Sequence, residues 1–297
     1  MRILVLHTWG LGDLILATPM LKSLHKSGHQ VELVLFSSAN QTILRENNFL
    51  KKIHLLSFKW ELLKFFGRFD ALVATAGTDP KKVKYLAKVL GIKHIFAAPQ
   101  QKNLHRIEMN LKIVHPLLKV IDKEPYIYRP SKPAVLANYK KDGEKLIGFA
   151  VGSGRKQKFK RWQGFKDLIE RIPGKKLVFI GPDEEELYKE YEKLDVTIVK
   201  ESLENIIVLI SHLDLLIGND NGLMHIGYAT GINTVTIHGM TNEKETGGYR
   251  PNNKAIFLKV ECRPCFDPST DKIGCDTLDC LRDLSVERVW TACQEFL

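Results

Sequence analysis

Along the chain, apolar runs of four to six residues alternate with longer segments whose apolar positions recur every three to four residues, the pattern of βα units on a parallel sheet. Runs at 2–7, 31–36, 52–56, 71–74 and 94–97 read as strands, with helical segments around Gln41 and at 60–68, 81–90 and 103–120 between them. After the first run, Gly10 and Gly12 make a turn, Leu14, Ala17, Leu21 and Leu24 share one helical face, and Gly28 ends that helix. Periodicity fades around Pro125, Pro130 and Pro133, which reads as a linker. It restarts at Leu146, with strands at 146–150, 177–180, 196–199, 213–217, 234–237 and 255–258 and helices at 164–171, 183–193, 203–211 and 221–229. The expected fold is α/β, with two doubly wound, Rossmann-like domains facing a central cleft. The first is expected over 1–135 and the second over 136–284, with a last helix in 285–297 able to cross back to the first domain.

Composition agrees with a packed protein. An apolar share of 44% with 26% charged over 297 residues excludes a disordered or fibrous chain. No stretch approaches the roughly 20 apolar residues of a membrane span, and Asp13 interrupts the apolar run a leader would need. A cytoplasmic protein is expected, soluble or peripheral at a membrane. The net charge of +10 is unevenly held: residues 1–145 carry 24 basic and 11 acidic side chains, residues 146–297 carry 20 and 23. The first half thus faces something negative, or simply carries solvated lysines. No basic run is interleaved with aromatics as a groove for single-stranded nucleic acid requires, so nucleic acid is not an expected partner.

Three turns at strand ends carry candidate chemistry. In the first, Gly10 and Gly12 allow close approach to a ligand, and Asp13 at the helix start can accept a proton from a hydroxyl. An Asp held by the helix dipole behind a plain turn accounts for the same residues. This is not the dinucleotide fingerprint, because Ile15 stands where a third glycine would, and Phe36 and Ser37 where a ribose-binding carboxylate would. An NAD-dependent oxidoreductase is therefore disfavoured. In the second turn, Gly152, Ser153 and Gly154 precede Arg155, Lys156, Lys158, Lys160, Arg161 and Trp162. Amides and a hydroxyl from small residues suit a phosphate with a cation beside it, and an exposed basic loop is the alternative. In the third, Asp220 is expected to cap a helix, with the amides of Asn221, Gly222 and Leu223 aimed at an anion and His225 donating to a phosphate oxygen. A cap with a packed histidine is the alternative. Further on, Cys262, Cys265, Cys275 and Cys280 crowd into one segment, as four soft ligands for a structural Zn or Fe or as reduced thiols packing a loop. Cys293 reads as core.

Taken together, Gly12, Asp13, Thr18 and Pro19, the Lys160, Arg161, Trp162 triplet, and Asp220-x-Gly222-x-x-His225 running into Ala229-x-Gly231 and Ile237, His238, Gly239, Met240, Thr241 resemble the ADP-heptose:lipopolysaccharide heptosyltransferases, glycosyltransferase family nine. The motifs run in order along nearly the whole chain. The resemblance implies the GT-B architecture, with acceptor on the first domain, nucleotide sugar on the second, and an inverting transfer that requires no cofactor. It implies Asp13 as general base, Lys160 on the donor phosphates, the turn from Asp220 to His225 on the diphosphate, and Glu204 at the donor ribose. The implied partners are ADP-heptose and an anionic glycolipid acceptor at the cytoplasmic surface of the inner membrane. Asn221 departs from the more usual Thr or Ser. Two other readings stay open: the same fold with a UDP or GDP sugar, and a nucleotide-sugar or polyanion-binding protein without catalysis.

Overall fold

Short runs of Ile, Leu, Val and Ala become strands buried on both faces, as parallel sheets require. The computed structural model describes residues 1–140, 143–182, 184–267 and 270–297, except the side chains of Arg155 and Lys156. Contacts divide the chain into two units, Met1–Tyr128 and Arg129–Leu297. The division falls a few residues ahead of the expected boundary at 135.

The first unit runs β1 (Arg2–Leu6), α1 (Leu11–Lys26), β2 (Gln30–Leu35), α2 (Ser38–Thr42), β3 (Lys52–Leu55), β4 (Ala71–Ala74), α3 (Pro80–Val89), β5 (His94–Phe96) and α4 (Arg106–Val114). Its parallel sheet has the order β3-β2-β1-β4-β5, with Ile3 opposite both Val31 and Ala71. Winding reverses between β1 and β4, and ligands of open α/β sheets bind at the carboxyl ends of the strands at such a point. α1 tolerates Pro19 in its interior because Thr18 Oγ1 donates to Ile15 O at 2.7 Å, supplying the carbonyl that proline cannot reach. Two predicted helices change. Lys59–Phe65 is a 3₁₀ helix, and 103–120 is helical only over α4, followed by a 3₁₀ turn, His115–Leu117, that starts at Pro116's neighbour and carries the chain out of the α pattern.

The second unit opens with a short helix that the linker's prolines concealed, α5 (Pro133–Ala137). It continues β6 (Leu146–Ala150), α6 (Phe165–Arg171), β7 (Lys175–Phe179), α7 (Glu185–Tyr191), β8 (Thr197–Val199), α8 (Leu203–Ser211), β9 (Leu215–Asn219), α9 (Gly222–Thr230), β10 (Thr234–Ile237), α10 (Glu243–Thr246) and β11 (Asn253–Ile256). The start of the helix expected at 183–193 lies outside the described residues at Asp183. The sheet order is β11-β10-β9-β6-β7-β8, all parallel, and winding reverses between β6 and β9. α9 ends on Gly231 at φ 82, a left-handed position where a Cβ would also run into Arg250, which explains the Ala229-x-Gly231 pair as a helix stop. After the hairpin β12 (Phe266–Asp267) and β13 (Lys272–Ile273) come α11 (Asp279–Arg282) and α12 (Val286–Gln294). α12 packs on α6, β10 and β11, burying Val289 and Cys293 in the second core. Its apolar stripe is thus used within the second unit.

Candidate active site

In the first unit the turn from β1 into α1 stands at the sheet's reversal point. Gly10 is the N-cap of α1 in ordinary extended backbone, and a Cβ there would meet nothing within 4 Å. The fold itself therefore does not require glycine at this position. Asp13 lies in the first helical turn with about a third of its side chain exposed, and Oδ1 is 3.5 Å from Nε of Arg106, a buried guanidinium at the start of α4. His7, also buried, bridges the turn: its ring nitrogens meet Thr75 Oγ1 at 3.1 Å and Gly10 O at 3.2 Å. Behind Asp13, Gly77 at φ 91 lets the loop after β4 close on Arg106 and Trp9, which a Cβ would approach to 3.1 and 3.2 Å. Arg106, His7 and Trp9 were not found from sequence. No motif marks Arg106, which only the packing of α4 on α1 brings to Asp13.

In the second unit the turn from β9 into α9 stands at the equivalent reversal. Asn221, not Asp220, caps α9: its Oδ1 accepts from Leu223 N at 2.9 Å and Met224 N at 3.4 Å, while Nδ2 donates to Gly152 O at 2.8 Å. An amide side chain does both jobs at once, where a carboxylate has no donor to offer the neighbouring loop. The Leu223 amide, expected to point at an anion, is thereby taken. Asp220 instead turns into a buried cluster, with Oδ1 3.9 Å from His225 Nε2 and Oδ2 3.8 Å from His238 Nδ1. Thr246 Oγ1 donates to Oδ2 at 3.4 Å. Burial pushes Asp220 up, but His238, Lys160, His225 and the Thr241 hydroxyl outweigh it and hold the carboxyl below its ordinary range. His225 packs edge-on against Tyr228.

Burial lowers the pKa of His238 and of His7, opposed by the charges of Asp220 and Asp13 respectively. Both imidazoles thus take up a proton less readily in the folded chain than in the unfolded one. Below about pH 6.5 the unfolded chain binds protons that the folded one refuses, so stability present above that pH is lost as pH falls toward the folded values. Thermal melts from about pH 7.5 to 5.5 are expected to show a falling midpoint, shallower in His238→Gln; identical slopes for the two proteins would remove His238 as a source.

The Ser153 loop follows β6. Its amides do not form an open phosphate cradle, because the buried carboxylate of Glu184 accepts from Ser153 N at 2.8 Å and Gly154 N at 2.9 Å. Sequence reasoning missed Glu184, which sits among several acidic residues before α7 with nothing to single it out. Ser153 Oγ is buried and has no partner among the described residues. The basic stretch sorts itself by partner. Arg161 pairs with Glu184 at 2.7 Å and Glu186 at 3.0 Å, and Lys158 with Glu186 at 2.8 Å. Trp162 is core, its Nε1 donating to Leu284 O. Lys160 lies with Nζ 4.0 Å from the Phe266 ring centre, its charge acting on Asp220. Glu204, in the first turn of α8, pairs through Oε2 with Lys132 at 2.8 Å.

The hairpin β12–β13 brings Cys275 back to the loop of Cys262 and Cys265, so that the three sulfurs lie within 4.8 Å of one another. Cys280 is outside this triangle, enclosed in the core, with its thiol pushed up to about 11 by burial and then by Cys265, Cys275 and Cys262. The structure therefore assembles three of the four expected ligands. Cys265 and Cys275 sulfurs are 4.0 Å apart, twice a disulfide bond and near the ~3.8 Å edge of a tetrahedral thiolate site. The donor set fits a soft metal ion. Arg263, between the first two cysteines, donates to Gly239 O and to Thr241 O, clamping the turn that carries His238.

Residues 70–273 match the model of glycosyltransferase family 9 (heptosyltransferase). The chain belongs to that family. It is a glycosyltransferase built as two Rossmann-like units of the GT-B type. Lipooligosaccharide heptosyltransferase 2 of Campylobacter jejuni subsp. jejuni serotype O:6 is 25% identical over 313 residues, covering 96% of this chain and 95% of the relative. A family 9 glycosyl transferase from Veillonella parvula DSM 2008 superposes with a TM-score of 0.78 at 22% identity, over 99% of this chain and 96% of the other. ADP-heptose lps heptosyltransferase II of E. coli does so with 0.75 at 15% identity, over 100% and 98%. The iron-containing dodecameric glycosyltransferase TibC of enterotoxigenic E. coli H10407 gives 0.66 at 15% identity, over 99% and 76%. Within this family 9 chain no helix among the described residues is long and apolar enough to cross a membrane.

Proposed function

We propose that this family 9 transferase moves heptose from ADP-heptose to an anionic acceptor of the lipopolysaccharide inner core, with inversion at the anomeric carbon. The observation that carries the reading is that the candidate turns of both units stand at the carboxyl ends of the strands where sheet order reverses, Asp13 after β1 and the Asp220 cluster after β9. The Campylobacter and E. coli relatives, a lipooligosaccharide and an ADP-heptose heptosyltransferase by name, support the substrate class. In this reading the first unit, 1–128, binds acceptor and the second binds nucleotide sugar. Asp13 takes the proton of the acceptor hydroxyl as its oxygen attacks the anomeric carbon; the bond from that carbon to the β-phosphate oxygen breaks, and ADP departs with the electron pair. Lys160, the Ser153 hydroxyl and the start of α9 at Asn221 and Gly222, but not the capped Leu223 amide, stabilise the charge growing on the diphosphate. Asp220, an enclosed anion, is not itself a phosphate ligand and instead positions His225 and Lys160, while Glu204 binds the donor ribose. Calorimetric titration with ADP, UDP and GDP tests the donor. ADP is expected to bind at least tenfold more tightly; preference for UDP or GDP would transfer the reading to another nucleotide sugar.

The cysteine triangle carries a second, structural reading: Cys262, Cys265 and Cys275 hold one Zn or Fe ion that pins the β12–β13 hairpin. The sulfur spacing supports it, and TibC is described as iron-containing. The hairpin supports Lys160 through Phe266, and its Asp271 accepts from Gln157 Nε2 at 2.6 Å in the stretch leading to that lysine. One equivalent of metal is expected in protein purified without chelator, and its removal is expected to weaken ADP binding several-fold. Metal-free protein with full ADP affinity would overturn this role.

A further inference from the structure

The 3₁₀ segment Lys59–Phe65 carries an apolar ridge on its outer side. A 3₁₀ helix has three residues per turn, so positions three apart lie above one another. Leu62 and Phe65 fall on the inner face and are buried in the core with Leu4, Leu72, Val83 and Leu90. Trp60 and Leu63, on the next line about 120° away, and Phe66 at the helix end are 69%, 55% and 67% exposed, with Phe58 at 61% stacked parallel to Trp60. Exposed apolar residues scattered singly need no explanation, but a continuous aromatic ridge does.

Beside the ridge lies α3, whose Val83 and Ala87 enter the same core, so segment and helix form one outer layer of the first unit. Their junction is direct: Gly67 N donates to Leu90 O at 2.9 Å, and a Cβ on Gly91 would touch the Phe66 ring at 3.6 Å. The outward side of α3 is cationic, and a groove of ≈ 550 Å³ there is lined by Lys81, Lys84, Lys88, Tyr85, Ile92 and Ile95. Residues 51–93 hold ten basic and three acidic side chains. Each of the three acids has partners within the fold: Glu61 accepts from Ser57 N and Phe58 N, Asp70 accepts from Arg2, and Asp79 caps α3 through Lys81 N. The layer therefore presents lysines around an aromatic crest, complementary to a surface with negative headgroups over an apolar interior.

We propose that this layer, the Trp60–Leu63–Phe66 ridge with Phe58 and the lysine face of α3, docks the protein on an anionic lipid bilayer. The aromatic ridge enters the headgroup boundary while the α3 lysines meet lipid phosphates. The proposal deepens the acceptor reading above, since a glycolipid acceptor is met at such a surface. A ridge of exposed aromatic side chains is unlike a channel that tracks single-stranded nucleic acid.

The test uses full-length protein and acceptor-free vesicles, so that it stands apart from the transferase reading. Flotation with phosphatidylcholine vesicles is compared with phosphatidylcholine containing phosphatidylglycerol. Binding is expected only with the anionic lipid, lowered about tenfold or more by Lys84→Glu with Lys88→Glu and by Trp60→Ser with Phe66→Ser. Tryptophan emission is expected to shift to shorter wavelength on binding in wild type and not in Trp60→Phe. Both double variants change exposed positions, and unchanged thermal midpoints and ADP affinity verify their fold. No binding to anionic vesicles, binding untouched by either double variant, or equal loss of binding to a single-stranded oligonucleotide that matches the vesicles in affinity would each overturn the proposal.

Discussion

Asp13→Asn is expected to lower heptosyl transfer by about a thousandfold, within the range a positioned general base supplies, while ADP affinity stays at the wild-type value. Asparagine keeps the size of the side chain and its place in the first turn of α1, so the lost activity reads the lost proton acceptor. The separation of effects follows from where the residues are. Asp13 belongs to the first unit, and the groups assigned to nucleotide belong to the second. Arg106, 3.5 Å from the carboxylate and itself buried, acts as a positioning residue. Arg106→Lys keeps the charge and loses the planar fork, so a smaller fall in kcat is expected with KM for donor unchanged, a split that general loss of structure would not give. Transfer and ADP release are followed together, since hydrolysis of donor without transfer would otherwise pass for activity. Substantial transfer by Asp13→Asn would sink the base assignment, and a matching loss of ADP affinity would mean that the substitution acts through folding.

The fold was legible because both sheets are written in short, fully buried runs whose connections carry helical period; β4, β6 and β10 lie where the pattern puts them. What failed was local. The segment at 60–68 has apolar residues at Trp60, Leu63 and Phe66 as well as at Leu62 and Phe65, and a period of 3.6 cannot separate two lines that a 3₁₀ helix separates cleanly. At the site, motif residues were found and their partners were not. Asp220 and Asn221 both suit a helix start, and only the neighbouring carbonyl of Gly152 decides that the amide takes the cap. Glu184 and Arg106 are contributed by distant elements, and their positions follow from packing rather than from any local pattern. In the cysteine segment, proximity along the chain suggested four ligands, whereas α11 carries Cys280 into the core.

Asp220→Ala is expected to cost both stability and donor affinity, and the two losses have one physical origin. The carboxylate is enclosed by His225, His238 and Lys160, so its removal leaves buried groups that were arranged around a negative charge. Breaking such a cluster costs about 3–5 kcal/mol, which for a protein of this size is about a 10 °C fall in Tm. Because folding holds the Asp220 pKa below its ordinary value, the carboxylate's contribution is present above about pH 4 and disappears as pH falls through the folded value. The stability difference between wild type and variant is therefore expected to narrow only in acid. Donor affinity falls for a related reason: Lys160 loses the counter-charge that orients it, and ADP binding is expected to weaken by about a hundredfold, some 2.7 kcal/mol. Asp220→Asn separates the two effects. The amide preserves shape and can still accept from Thr246 Oγ1, so most of the Tm returns, whereas the missing charge keeps ADP binding weak. If Asp220→Asn instead binds ADP as wild type does, the carboxylate is a packing element of the second core and the nucleotide lies elsewhere.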